Sequence, residues 1–125
     1  MTVRVVIADA VVHVRSALRL LLEQDPAGCY VSELTTGDQL LVELERADAD
    51  LLLVDAQIPG LHLMRVLPTI RRTRPALRVI VLSSRPEDRV PALAAGADAF
   101  VSKGDAPRGL RTILQHSCAD LASCS

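Results

Sequence analysis

The chain has 125 residues, enough for one domain that buries most of its apolar surface, and half of them are hydrophobic, which excludes intrinsic disorder. A formal net charge of −1 excludes the basic excess expected of a nucleic-acid-binding domain. No apolar run approaches the roughly 18 residues of a membrane span, and no charged-then-apolar leader opens the chain, so the expected location is the cytoplasm, with no membrane partner.

The first six residues after Thr2, VRVVIA, are β-rich and end directly on Asp9. Val14, Ala17, Leu18, Leu21 and Leu22 then recur at helical spacing with Arg15, Arg19 and Glu23 between them, an amphipathic first helix that stops near Asp25-Pro26. Residues 29–35, CYVSELT, read as a second strand, and Gly37-Asp38 opens a second helix with Asp38 as its expected cap and Leu40, Leu41, Leu44 and Ala47 as its buried stripe. Residues 51–54, LLLV, form a continuous apolar run of the kind covered on both faces in a parallel sheet, and Asp55 follows.

Pro59-Gly60 marks a turn. The third helix, roughly 61–73, contains Pro68, which should kink or divide it. Its closing arginines, Arg71, Arg72 and Arg74, complement the helix dipole and, without aromatic companions, do not read as a phosphate-binding patch. Residues 78–82, RVIVL, are the fourth strand, followed by Ser83-Ser84. A fourth helix spans about 87–95 and stops at Gly96. Residues 98–102, DAFVS, are the fifth strand, ending at Lys103. A fifth helix starts near Pro107, with Leu110, Ile113, Leu114, Cys118 and Leu121 as its stripe. Five β-α repeats imply an α/β, flavodoxin-like doubly wound (βα)5 fold, with a five-stranded parallel sheet in order 2-1-3-4-5 and helices on both faces. Tyr30 and Phe100 are the only aromatic residues, so the core must be aliphatic. Cys29, Cys118 and Cys124 show no metal-type spacing and read as reduced thiols.

In such sheets ligands bind at the carboxyl ends of the strands. Those ends carry Asp9, Asp55, Ser83 and Lys103. Each alone is as easily a strand terminus or helix cap. Together, two carboxylates, a hydroxyl and an ammonium suit a phosphoryl group: one carboxylate accepts it, another holds a divalent cation, and lysine and serine meet its oxygens. A flavodoxin-like enzyme is a poor alternative, since the chain has no glycine-rich phosphate loop, no nucleophile elbow and no Cys-His or Ser-His pairing, so no enzymatic activity is expected.

The chain resembles the receiver domains of two-component response regulators, NarL/FixJ type, over residues 3–116. VVIAD at 5–9, LLLVDAQIPG at 51–60, RVIVLSS at 78–84 and AGADAFVSKGDAP at 95–107 carry the resemblance. It implies a receiver domain over 1–122, with 123–125 a frayed tail or the start of a linker. It implies Asp55 as phosphoacceptor, with Ser83, Lys103 and Phe100 as the switch hydroxyl, lysine and aromatic. It further implies a Mg²⁺ ion on Asp9, Asp55 and the Gln57 backbone carbonyl.

The chain departs from the pattern where the second acidic residue of the family's pair is Ala10, and where the usual Asp-Gly after the Pro-Gly turn is replaced by Leu61-His62-Leu63. A carboxylate ~4 Å from a unit charge is worth about 4 kcal/mol at an effective dielectric near ~20. Water can refill the vacated ligand position, so Mg²⁺ binding is expected to be weakened or lost, and phosphoryl transfer slowed with it. With one carboxylate gone, Lys103 can more nearly balance Asp9 and Asp55 without a cation. His13 and His62 read as surface residues, imidazole being a poor Mg²⁺ ligand.

The expectation is an atypical receiver in a phosphorelay that serves transcriptional control. The alternative is a dimerisation or docking module, or a ligand-responsive receiver, that phosphate no longer switches. A histidine kinase or other phosphodonor is the implied partner. A homodimer would form through helix 4, strand 5 and helix 5, or through helices 1 and 5. DNA would be reached only by a separate output domain.

Overall fold

The computed structural model describes residues 3–24, 28–104 and 111. Within them the order is β1 (Val3–Ala8), α1 (Val12–Glu23), β2 (Cys29–Leu34), α2 (Gly37–Arg46), β3 (Leu51–Asp55), α3 (Leu63–Thr73), β4 (Arg78–Ser83), α4 (Arg89–Ala95) and β5 (Ala99–Ser102). A single 3-10 turn, Pro86–Asp88, leads into α4. The expected fifth helix apart from residue 111, Cys118, Cys124 and the 123–125 tail lie outside the described residues.

The five strands are parallel and ordered β2-β1-β3-β4-β5, the expected doubly wound sheet. Side chains alternate between the faces with period two. Val6, Ala8, Leu52, Val54, Val79 and Val81 point to one face, where Leu40 and Leu44 of α2, Leu63, Leu67 and Ile70 of α3 and Ala92 of α4 close over them. Val5, Ile7, Leu51, Leu53, Ile80 and Leu82 point to the other and meet Leu18 and Leu22 of α1. All five residues of β3 are buried, which is why its sequence is a run rather than an alternation. Register then sets the functional edge: Asp55 pairs with Leu82, and Ser83 pairs with Ser102. The two polar ends therefore belong to neighbouring strands.

Three local expectations change. The cap of α2 is Thr36, not Asp38: the Thr36 hydroxyl accepts the Gln39 N–H at 3.3 Å, and Gln39 Oε1 accepts the Thr36 N–H at 3.3 Å. This reciprocal capping box satisfies two backbone donors where Asp38 in the first turn would satisfy one. Pro68 does not divide α3, which runs unbroken from Leu63 to Thr73. Its ring is on the exposed side, while Leu63, Leu67 and Ile70 anchor the opposite one. The fourth helix begins as the 3-10 turn, and regular α geometry starts only at Arg89.

The Pro59-Gly60 turn forms as expected, with Gly60 at φ 81°, a left-handed conformation that favours glycine. The Gly37 N–H donates to the Pro59 carbonyl at 2.8 Å, tying the start of α2 to this turn. Arg71 is not merely a solvated helix end. It donates to the Leu77 carbonyl and pairs with Asp98 at 3.1 Å, while Asp98 also accepts the Val79 N–H at 2.8 Å. Among the described residues, no helix is long and apolar enough to cross a membrane.

Candidate functional site

Asp9 leaves β1 into the crevice fully buried. Its Oδ1 accepts the Val11 N–H at 2.9 Å, and its backbone carbonyl accepts Arg15 Nη1 at 2.8 Å. Arg15 in turn pairs with Glu33 of β2 at 3.3 Å, so the edge strand and α1 together fix the backbone at Asp9. Asp55 ends β3 and is 7% exposed. Its Oδ1 accepts the Gln57 N–H at 3.1 Å. Both remaining carboxylate oxygens face one ammonium: Lys103 Nζ lies 2.8 Å from Asp9 Oδ2 and 3.3 Å from Asp55 Oδ2. Lys103 is placed by its own N–H, which donates to the Ser83 carbonyl at 2.7 Å just past β5.

Ser83 is fully buried. Its hydroxyl lies 2.7 Å from Asp88 Oδ2 and 3.2 Å from Gln57 Oε1, and its oxygen accepts the Arg85 N–H at 3.0 Å. Gln57 Nε2 also donates to Asp88 Oδ2, at 2.7 Å. These hydrogen bonds, that of Ser83 before that of Gln57, hold the Asp88 carboxyl below its ordinary pKa against the opposing effect of burial. Phe100 sits in β5, 5% exposed, with the Arg89 guanidinium 5.9 Å from its ring centroid.

The sequence-derived residues Asp9, Asp55 and Lys103 thus form one ion-paired cluster, and Ser83 stands on the adjacent strand end. His13 and His62 are exposed, and neither hydrogen-bonds to Asp9 or Asp55. Asp88 was legible only as an acid in the first turn of a helix. Its contact with Ser83 depends on the 3-10 turn, which nothing but Pro86 signals. Gln57, expected to offer its backbone carbonyl, also reaches Ser83 and Asp88 with its side chain.

The donor set suits a hard divalent cation, being all oxygen. Asp9 Oδ2 is the buried side-chain oxygen, among the described residues, that receives no well-directed hydrogen bond; the Lys103 ammonium meets it only as an ion pair. Asp9 and Asp55 therefore fit Mg²⁺, but Ala10 is exposed and adds no ligand. Among the described residues no cluster of three or more His, Cys, Asp or Glu gathers to hold a metal. Lys103 contacts the same two Oδ2 atoms that a cation would need.

The response regulator receiver domain model matches residues 5–115. The chain belongs to the response regulator receiver domain family. This receiver domain is 31% identical over 107 residues to the nitrate/nitrite response regulator NarL of Escherichia coli K12, covering 84% of this chain and 50% of NarL. It therefore spans about half the length of that relative. The isolated receiver domain of RcsB from Salmonella enterica serovar Typhimurium, solved in the presence of the phosphomimetic BeF3−, superposes with a TM-score of 0.81 at 28% identity, covering 92% of this chain and 87% of that one. These relatives place the receiver in the NarL/FixJ type. A CheY-like receiver from Methanospirillum hungatei covers the whole of both chains with a TM-score of 0.84, and at 23% identity it attests the fold alone.

Proposed function

We propose that this receiver takes a phosphoryl group on Asp55 and that its Mg²⁺-dependent step is weakened by Ala10. The observation that carries this reading is the cluster itself. Asp55 presents a carboxylate at the strand edge, held by the Gln57 N–H, with Lys103 shared between it and Asp9. A carboxylate oxygen of Asp55 would attack phosphorus in a phosphohistidine of a kinase. The P–N bond breaks, and the imidazole leaves with the electron pair. Mg²⁺, when bound, neutralises charge on the transferring group. Asp9 and Asp55 would hold it, with the Gln57 carbonyl as a third ligand and water at the Ala10 position. Lys103 then pairs with the new phosphate, Ser83 gives it a proton to accept, and Phe100 follows inward. Receiver domains are generally signalling modules, and the NarL relationship makes transcriptional control through a separate output domain the reading for the full protein. A histidine kinase is the proposed partner.

A second reading is favoured by the same lysine. With its ammonium already on both carboxylates, the domain can stand in one ion-paired state without cation or phosphate. It would then act as a constitutive dimerisation or docking module.

Titration with Mg²⁺, then with Mg²⁺ and beryllofluoride, separates the two when backbone amide shifts are followed beside an Ala10→Asp variant. The phosphoacceptor reading expects the native chain to shift around Asp55, Ser83 and Phe100 at millimolar Mg²⁺, and Ala10→Asp to respond at lower concentration. A response confined to Ala10→Asp sinks that reading and leaves the constitutive module.

A further inference from the structure

Asp88 closes the 3-10 turn beyond β4 and, among the described residues, forms no hydrogen bond or ion pair with Asp9, Asp55 or Lys103. It nevertheless holds the one hydroxyl of the site. Ser83 Oγ has a single proton and two acceptors in reach: Asp88 Oδ2 at 2.7 Å and Gln57 Oε1 at 3.2 Å. The charged acceptor at the shorter distance takes it. Gln57 Nε2 donates to the same Asp88 oxygen and steadies it. Among the described residues, no hydrogen bond runs from Ser83 to Asp55. The turn is preset, since Pro86 fixes φ at its first position and the Asp88 N–H donates to the Arg85 carbonyl at 3.1 Å. The next residue, Arg89, lies over the Phe100 ring. Two successive residues at the start of α4 thus grip the hydroxyl and the aromatic ring.

We propose that Asp88 is a positioning residue that holds the Ser83 hydroxyl on the α4 side of the crevice, so that a phosphoryl group on Asp55 must draw the proton away from Asp88 before Ser83 can contact it. The proposal rests on Asp55 being the acceptor. Occupancy of Asp55 then releases the 3-10 turn directly, and α4 senses the site through a lost hydrogen bond as well as through Phe100.

The test compares wild type, Asp88→Ala, Asp88→Asn, Ser83→Ala and the Ser83→Ala, Asp88→Ala double variant, each titrated with beryllofluoride at fixed Mg²⁺ while amide shifts are followed. Asp88→Ala is expected to bind about tenfold more tightly than wild type, the size of one charge-assisted hydrogen bond. Asp88→Asn, which keeps a neutral acceptor, falls between them, and the double variant gains nothing over Ser83→Ala. Binding by Asp88→Ala no tighter than by a responsive wild type overturns the latch and leaves the acceptor in place. If no protein in the set binds, the acceptor reading has failed, and urea unfolding then tests the latch without ligand. A coupling of about tenfold between the two substitutions in the unfolding constant upholds it, and additive effects overturn it.

Discussion

Lys103 brings one positive charge to two carboxylates, 2.8 Å from Asp9 and 3.3 Å from Asp55, so the cluster keeps one negative charge in excess. Removing the ammonium leaves two buried or nearly buried carboxylates facing each other. Lys103→Met is expected to lose about 3 kcal/mol of unfolding free energy in urea, at the low end for a broken buried pair because the lysine is partly exposed. Mg²⁺ should then raise the melting temperature of the variant more than that of wild type, because the cation gains the oxygens the lysine held. Equal shifts would mean that lysine and cation do not compete. At Asp88 the sign of the pH dependence follows from its depressed pKa. A carboxyl whose folded pKa lies below its ordinary 3.8 stabilises fully above that value and loses the contribution as pH falls through the lower folded value. The stability difference between wild type and Asp88→Asn should therefore be present at about pH 6 and vanish toward about pH 2, as read by denaturant unfolding. A difference that persists in acid assigns the effect to shape rather than charge.

Between elements, the loop that carries the site is braced from α2. A Cβ added at Gly37 would lie 2.1 Å from Leu61 Cβ, and the Leu61 backbone is close behind. The contact joins the start of α2 to the loop that follows the Pro59-Gly60 turn. Gly37→Ala is expected to cost about 1–3 kcal/mol through overpacking and to shift the amides of residues 59–61. Undisturbed 59–61 amides would show that the loop yields without strain. The α2 cap illustrates why element ends were less legible than elements. Asp38, Gly37 and Thr36 are all acceptable near a helix start, and only the Gln39 side chain folding back on Thr36 decides among them. Pro68 likewise breaks helices in general, yet here three buried residues of α3 hold the opposite side against the core.

At the scale of the whole molecule, the sheet could be read from the chain because five β-α repeats imply a doubly wound order, and apolar runs such as LLLV and VIVL suit strands covered on both faces. The same runs located Asp9, Asp55 and Ser83, since a strand's end is also the end of its apolar run. What the runs do not encode is a contact between a strand end and a turn five residues later, such as that of Ser83 with Asp88. Core loading should follow the same division: Leu52→Ala, fully buried in β3, is expected to cost about 2–5 kcal/mol in denaturant unfolding, whereas Leu20→Ala on the outside of α1 should stay within about 0.5 kcal/mol. Equal costs would place the core elsewhere. The hydrogen bond from the Gly37 amide to the Pro59 carbonyl, 2.8 Å long, has a consequence of another kind. An amide proton trades with solvent only when its bond opens. Gly37 lies outside the acidic cluster, so its deuterium exchange reports the parting of α2 from the loop after Asp55 without disturbing the carboxylates.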